Sequence, residues 1–389
     1  MTEHLAQLAR RAGRMAIDTE FMTERRYQPM LCLAQVALRD SSAAQGVRTE
    51  VLDPLDGAIP EPLAAALADP AVEVVVHAGR QDVALLKRTW RTQVANVFDT
   101  QVAAGFLGHG TQESYRSLVR RVLGVRIASA ESFTRWDRRP LTDGQLRYAL
   151  EDARHLLELG EALEGELERA GRLGWAKEEC RWLETVSDER EPDALFARLS
   201  GVARLKPPAQ AIARELVEWR EAVARDIDRN AGSVLPDHVL VEVARLAPRD
   251  RRALSDVRGL PEATLHRRAG GLLEAIARGA RRPAPTLPPT RPPATAADAP
   301  LAALLGAVVR HRALEARVGA GLIATQDELV QLVSSVRRDE DPRRLRTLQG
   351  WRAELVGQEL LEVLDGSRAV SVADARRLEV RPRGGQAAG

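Results

Sequence analysis

The stretch Ala16-Ile17-Asp18-Thr19-Glu20-Phe21 sets two carboxylates two residues apart at the end of an apolar run. Side chains alternate along an extended strand, so Asp18 and Glu20 project together and crowd two like charges. Such crowding is costly unless something positive sits between the acids, and a divalent cation meets that need. An exposed strand end with two solvated acids would read the same way, so the other acids of the chain must decide. Asp82 falls in the first turn of a helix that follows the strand-like run VEVVVH, residues 72–77. It therefore projects beyond the end of a sheet strand, where open α/β sheets keep their sites. It would equally serve as an acid complementing the helix dipole. Tyr148 and Asp152 lie four apart on the helical stretch 141–170 and share one face with His155, whereas Glu151 points elsewhere. Oxygen donors without Cys or His suit Mg²⁺ or Mn²⁺ over zinc.

These residues need a sheet edge and helices to carry them. A short helix (4–13) leads into the Asp18 strand. Strands are expected at 31–38, 50–54, 72–77 and 97–100, with helices at 63–68, 80–90, 101–107, 114–123 and 141–170. Strands that first meander and then alternate with helices predict an α/β sheet of mixed direction, flanked by helices. From about 205 the pattern is helical, each segment bounded by Pro, Gly, Asp or Asn. Residues 281–300 hold seven prolines in twenty and predict an extended linker that lets the downstream helices sit apart. Beyond it the helical order repeats, with one tryptophan per block (Trp219, Trp351). The expected organisation is a catalytic unit at 1–202, a helical unit at 203–282, a linker at 283–300, a diverged second helical unit at 301–366 and a disordered tail at 367–389.

At 389 residues, 44% hydrophobic and 29% charged, the composition is that of an ordinary folded chain. Nothing approaches the roughly 18 consecutive apolar residues of a membrane span, and no secretory leader is read. Cys32 and Cys180 stand far apart, which predicts reduced thiols and a cytoplasmic location. Residues 1–202 carry 26 Lys/Arg against 31 Asp/Glu, whereas 203–282 carry 16 against 11. An acidic module joined to a basic one suits a metal-binding catalytic unit beside a polyanion-binding one.

Together the residues spell Asp-x-Glu, then Asp, then Tyr-x-x-x-Asp, each on the required element. This resembles the DEDD superfamily of 3′→5′ exonucleases in its tyrosine-bearing subgroup, and within it the ribonuclease D family. The matching segments are Ala16–Phe21, His77-Ala-Gly-Arg-Gln-Asp82, Phe98-Asp-Thr-Gln101, and Arg139-Pro-Leu-Thr142 leading to Tyr148–Asp152. The helical blocks are similar to the HRDC domain, through Arg225-Asp226, Val234-Leu-Pro-Asp237, Leu254 and Gly259. The resemblance implies a ribonuclease H-like exonuclease domain followed by two all-α HRDC domains. It implies two divalent cations, Mg²⁺ or Mn²⁺, with Asp18 bridging both, Glu20 and Asp152 on the first and Asp82 on the second. Tyr148 would orient or deprotonate the attacking water. The implied reaction removes single nucleotides from RNA 3′ ends and releases nucleoside 5′-monophosphates.

The implied substrate is a tRNA precursor or other structured RNA with a free 3′ end, with no obligate protein partner and no membrane. Phe21 is a candidate for stacking on the terminal base or for a core role. Arg25, Arg26, Tyr27, Trp136, Arg138 and Arg139 are candidates for phosphate and base contacts, or solvated loop residues. Arg251, Arg252, Arg267 and Arg268 would give the helical block its polyanion-binding face, or pair with neighbouring acids. Two alternatives stand beside this reading: a DNA 3′→5′ exonuclease using the same five residues, and a non-catalytic HRDC nucleic-acid-binding protein, which would lack one of the acids.

Overall fold

The computed structural model describes residues 1–127, 135–286, 295–374 and 377–383. Five strands build the main sheet: β1 (Arg14–Met22), β2 (Met30–Arg39), β3 (Val47–Leu52), β4 (Glu73–Val76) and β5 (Val97–Asp99), in the order β3-β2-β1-β4-β5. The first three form an antiparallel meander because only short turns join them, whereas β4 and β5 run parallel to β1 after helical crossovers. The sheet is therefore mixed, as expected. Its helices are α1 (Thr2–Ala12), α2 (Glu61–Leu67), α3 (Arg80–Thr89), α4 (Thr100–Gly105), α5 (Tyr115–Val122), α6 (Asp143–Arg154), α7 (Leu156–Arg169) and α8 (Leu173–Glu184).

Alternation along β1 sorts its side chains between two cores. Met15 and Ile17 join Leu5, Leu8, Leu63 and Leu86 on one face, beneath α1, α2 and α3. Ala16 joins Phe98, Leu157 and Leu163 on the other, beneath α4 and α7. Asp18 and Glu20 share Ala16's face, and Thr19 shares the face of Ile17. Pairing with β4 stops at Ala16 opposite Val75, so the last residues of β1 overhang the end of that strand. The expected helix 141–170 is two helices. His155 (φ −93°, ψ 0°) divides them, so that α6 lies against β1, β2 and β3 while α7 turns toward β4 and α4.

Downstream, α9 (Pro192–Arg198), α10 (Pro207–Asp226), α11 (Ala231–Val234), α12 (Asp237–Leu246), α13 (Arg251–Ser255) and α14 (Glu262–Gly279) enclose a separate core of Leu216, Leu235, Leu240, Leu254 and Leu272. Phe196, Leu199 and Val202 belong to that core, so the packing boundary lies ahead of the expected one at 202. The block is anchored by Tyr27, buried against Ala224, Ala231 and Val234, with the guanidinium groups of Arg190 and Arg225 over its ring at 5.3 and 5.5 Å.

The C-terminal block departs from expectation in three ways. α15 (Asp298–Ala316) starts inside the predicted linker, with Pro300 in its first turn, where a missing N–H costs nothing. The middle of the linker, 287–294, lies outside the described residues. α15, α16 (Ala320–Ile323), α17 (Gln326–Arg337) and the segment Gly350–Leu364 do not sit apart, because their apolar side chains complete the core on the α4/α7 face. Trp351 is fully buried there, edge-on to Phe106 with ring centroids at 4.8 Å and stacked with Trp175 at 5.5 Å. A backbone bond from Gly319 N–H to Gly105 C=O (2.8 Å) locks the approach, and a Cβ at Gly319 would fall 2.3 Å from Thr111 Cγ2. Finally, the expected disordered tail carries a hairpin, β6 (Arg368–Asp374) and β7 (Arg377–Pro382), whose Val370 and Val380 pack onto the C-terminal helices. Alternation of Val370, Val372, Leu378 and Val380 gives it one apolar face. Residues 375–376 and 384–389 of the predicted tail lie outside the described residues.

Because the α4/α7 core is shared, the catalytic unit and the C-terminal block should melt together. Trp351→Ala removes a large buried side chain and should cost about 3–5 kcal/mol. A calorimetric scan is expected to show the transition of both units moving down as one. A nuclease transition left at its wild-type temperature would show that the two cores are energetically independent.

Candidate active site

The overhanging end of β1 faces α6, and three of the four sequence-predicted acids meet there. Asp18, Glu20 and Asp152 each bring a carboxylate oxygen within 4.8 Å of the others'. Asp82 arrives from the opposite side of the strand, on the first turn of α3, and accepts a hydrogen bond from the buried Thr19 hydroxyl. Thr19 is thus the link between the α3 side of β1 and the α6 side. Tyr148 lies one helical turn before Asp152, its phenol near enough to that carboxylate for the two to influence each other's protonation. Asp152 Oδ1 is buried and has no hydrogen-bond partner among the described residues.

The placement of Asp82 depends on a tight strand-to-helix turn. Ala78 takes a left-handed conformation (φ 53°), and a Cβ at Gly79 would lie 2.4 Å from Val76 Cγ2, so only glycine fits that position. Asp99, buried at the end of β5, accepts from the backbone N–H of Ala78 (3.1 Å) and Gly79 (2.9 Å) while capping α4 through Gln101 N–H at 2.8 Å. One carboxylate fixes both turns. α6 is started by a capping box between Thr142 and Gln145, which sets the register of Tyr148 and Asp152.

The electrostatics follow from four acids in a half-dry cleft. Burial, then Asp82, Glu20 and Asp152 in that order, push the Asp18 carboxyl well above the ordinary range. Glu20 is pushed up to about 8 by burial and then by Asp152 and Asp82. Asp82 rises to about 6, chiefly through burial, against the bond from Thr19. Asp152 is raised by burial as well. Burial and then the neighbouring Asp152 carboxyl raise the Tyr148 phenol further above its usual value, so it is a neutral hydroxyl at any working pH.

Several residues of the site were not legible in the sequence. Arg116, on α5, sets its guanidinium over the Tyr148 ring at 5.2 Å, with Nη2 3.9 Å from Asp152 Oδ1. The neighbouring Tyr115 has a buried hydroxyl without a partner among the described residues, and Asp152 and Asp18 add to the burial that raises it. Gln35 on β2 pairs across from Asp18 on the same sheet face, fully buried, with both amide atoms unpartnered among the described residues. Register across three-dimensional neighbours brings these in, and nothing local marks them.

Of the expected nucleic-acid contacts, some are committed elsewhere. Trp136 is buried behind Tyr148, ring centroids 5.9 Å apart, in a cluster with Cys32, Leu33 and Ala149. Arg139 ties Asp53 to the Trp136 and Cys32 carbonyls. Tyr27 and Arg26 hold the helical block, Arg26 through Asp228 at 2.7 Å. These four are structural because each has its polar atoms or ring satisfied within the protein. Phe21 is half-buried just past a register shift between Glu20 and Phe21. Arg25 and Arg138 are exposed. Arg251 lies 3.4 Å from His266 Nδ1, and Arg252, Arg267 and Arg268 form no ion pair among the described residues.

A mixed sheet with four acids and a tyrosine at one strand end, joined to a small helical block, defines a DEDD-type 3′→5′ exonuclease with an HRDC domain. Residues 1–168 match the 3′-5′ exonuclease family, and residues 209–276 match the HRDC domain. The chain is 37% identical to ribonuclease D of Acidiphilium cryptum over 97% of its own length and 95% of that protein's. It is 34% identical to ribonuclease D of Gluconacetobacter diazotrophicus, over 96% and 94%. Its fold matches Escherichia coli RNase D, an exoribonuclease involved in structured RNA processing, with a TM-score of 0.80 and 26% identity over 94% of this chain and 96% of that one. The chain belongs to the ribonuclease D family, and it is a 3′→5′ exoribonuclease. That family decides for RNA over the DNA alternative. Divalent metal use goes with it, and the donor set fits: oxygen ligands alone, brought within 4.8 Å of one another in a cleft where their crowding favours a cation.

The raised carboxyls give a stability signature. The folded state keeps protons that the unfolded chain, with Glu20 at its ordinary 4.5, has released. Stability contributed by the cluster therefore falls as pH rises from that value through about 8. In chelator, Tm should drop between about pH 5 and about pH 8, and Asp18→Asn should flatten the drop. Mg²⁺ or Mn²⁺ at the upper end of that range should raise Tm more in the wild type than in the variant. A wild-type Tm equally insensitive to pH and metal would contradict the crowded-acid reading.

Proposed function

We propose that the protein trims structured RNA 3′ ends, such as those of tRNA precursors, one nucleotide at a time and releases nucleoside 5′-monophosphates. The observation that carries this reading is the convergence of Asp18, Glu20 and Asp152 oxygens within 4.8 Å beside Asp82. Asp18, at the centre, would be shared between two divalent cations, Mg²⁺ or Mn²⁺, with Glu20 and Asp152 completing the first site and Asp82 helping to hold the second through water. Such cations would supply acidification of the attacking water and charge stabilisation at phosphorus and the leaving 3′ oxygen. Tyr148 stays protonated, and its hydroxyl oxygen would accept a hydrogen bond from that water and so position it. Phe21 offers a face for the terminal base, and Arg25 and Arg138 offer cations to the strand leading away.

In this reading the catalytic unit ends ahead of α9, and α9 packs into the core of the HRDC domain that follows. Residues 301–366 are a second, diverged HRDC-like unit, a reading supported by the same sequence of a long helix, a one-turn helix and a medium helix in α15–α17 as in α10–α12. Both cysteines are free and buried, which agrees with a reducing cytoplasm.

Asp18→Asn should abolish cleavage of 5′-labelled RNA while preserving the fold. Tyr148→Phe should lower the rate about 10²–10⁴-fold, the scale of a water-positioning group. Wild-type rates in either variant would remove the corresponding role. For the HRDC block, replacing Arg251, Arg252, Arg267 and Arg268 by Ala should weaken binding to a tRNA-like substrate. It should also reduce the slope of affinity against salt by roughly 0.7–0.9 for each phosphate that is no longer neutralised. Unchanged affinity and slope would assign these arginines to solvent.

A further inference from the structure

We infer that Arg116 is a catalytic residue that donates to a non-bridging oxygen of the scissile phosphate. The inference rests on the site reading above and adds a residue to it. Arg116 is the second residue of α5, behind the Ser114 cap and Tyr115, on an element that bears none of the acids. Its guanidinium stacks over the Tyr148 ring, which sets its plane and height. Nη2 is buried and makes no hydrogen bond among the described residues, and it stands 3.9 Å from Asp152 Oδ1, which likewise has no hydrogen-bond partner there. The pair is an ion pair too long for a hydrogen bond, so Nη2 keeps an unused donor beside the acid cluster.

Charge balance points to what that donor would meet. Four carboxylates against two dications would leave the site neutral, and a phosphodiester would then bring one negative charge that the Arg116 guanidinium would offset. A planar fork held on an aromatic face is also suited to a phosphate oxygen, because it donates in a fixed direction and loses little freedom on binding. The pentacoordinate phosphorus gathers more charge on its equatorial oxygens than the ground state does, so the contact strengthens as the reaction proceeds.

The test compares Arg116→Ala and Arg116→Lys with wild type and with Asp18→Asn on a short 5′-labelled RNA. It follows kcat, KM, the metal concentration for half-maximal rate, and inhibition by a nucleoside 5′-monophosphate. Arg116→Ala is expected to lose about 10²–10³ in kcat, the cost of one transition-state donor, with KM and metal half-saturation changed less than threefold. Inhibition by the monophosphate should weaken about tenfold. Added guanidinium ion should restore at least tenfold of the lost rate, and Arg116→Lys should fall between the two. A kcat within twofold of wild type overturns the inference. So does full kcat at raised metal, which would mean that Arg116 serves the carboxylates, and so does a loss that neither guanidinium nor lysine relieves. If Arg116→Ala does not fold, Arg116→Lys and monophosphate inhibition decide alone. An active Asp18→Asn would overturn the site reading itself, whereas an inactive Asp18→Asn beside a normal Arg116→Ala overturns only this proposal.

Discussion

Mutual repulsion among Asp18, Glu20, Asp82 and Asp152 is the constraint on which the rest of the chain depends. Four acids in a cleft that raises their carboxyl pKa values oppose folding, so the scaffold must hold them against their own field. It does so from three directions. β1 pairs with β4 through Arg14–Ala16 and with β2 from Ala16 onward, so Asp18 is held directly opposite Gln35 in a strand whose apolar residues fill two cores. Asp99 clamps the turn into α3, and the Thr142–Gln145 box clamps the start of α6. The energy that makes the cluster tolerable is drawn from cores far larger than the site, and the same crowding gives a dication its place.

The shared core on the α4/α7 face gives the C-terminal block a second meaning. Without Trp351 and its neighbours, Phe106 and Trp175 would be left as exposed aromatic surface. The block is therefore part of the nuclease's structure, whatever it contributes to RNA. The first helical block is attached differently, by a tyrosine held between two arginines and by the Arg26–Asp228 pair. Polar attachments of that kind are more easily released than an aromatic core.

The strand end with its two carboxylates, the Asp82 turn and the Tyr148–Asp152 face were all readable from the sequence. Alternation and helical spacing fix which side chains share a face before any tertiary contact forms. Arg116, Tyr115 and Gln35 were not readable. Their relevance arises from how α5 and β2 lie against other elements, which local pattern does not encode. Trp136, Arg139 and Tyr27 have internal partners that the sequence did not announce, because an aromatic or an arginine in a loop looks available until packing uses it. The break at His155 and the C-terminal hairpin share one cause: both depend on the surface they meet. The proline-rich stretch did mark a connection, but its composition says nothing of where the chain lands next.

The central claim is that crowded, protonated acids become a divalent-cation site. Calorimetric titration of the protein with Mn²⁺ at neutral pH, in two buffers of different ionisation enthalpy, tests it most directly. With Glu20 near 8 and Asp18 raised beside it, binding must expel protons. Saturable binding with an apparent enthalpy that differs between the buffers, and with both effects lost in Asp18→Asn, is the predicted result. Binding without proton release, or no saturable binding, would contradict it.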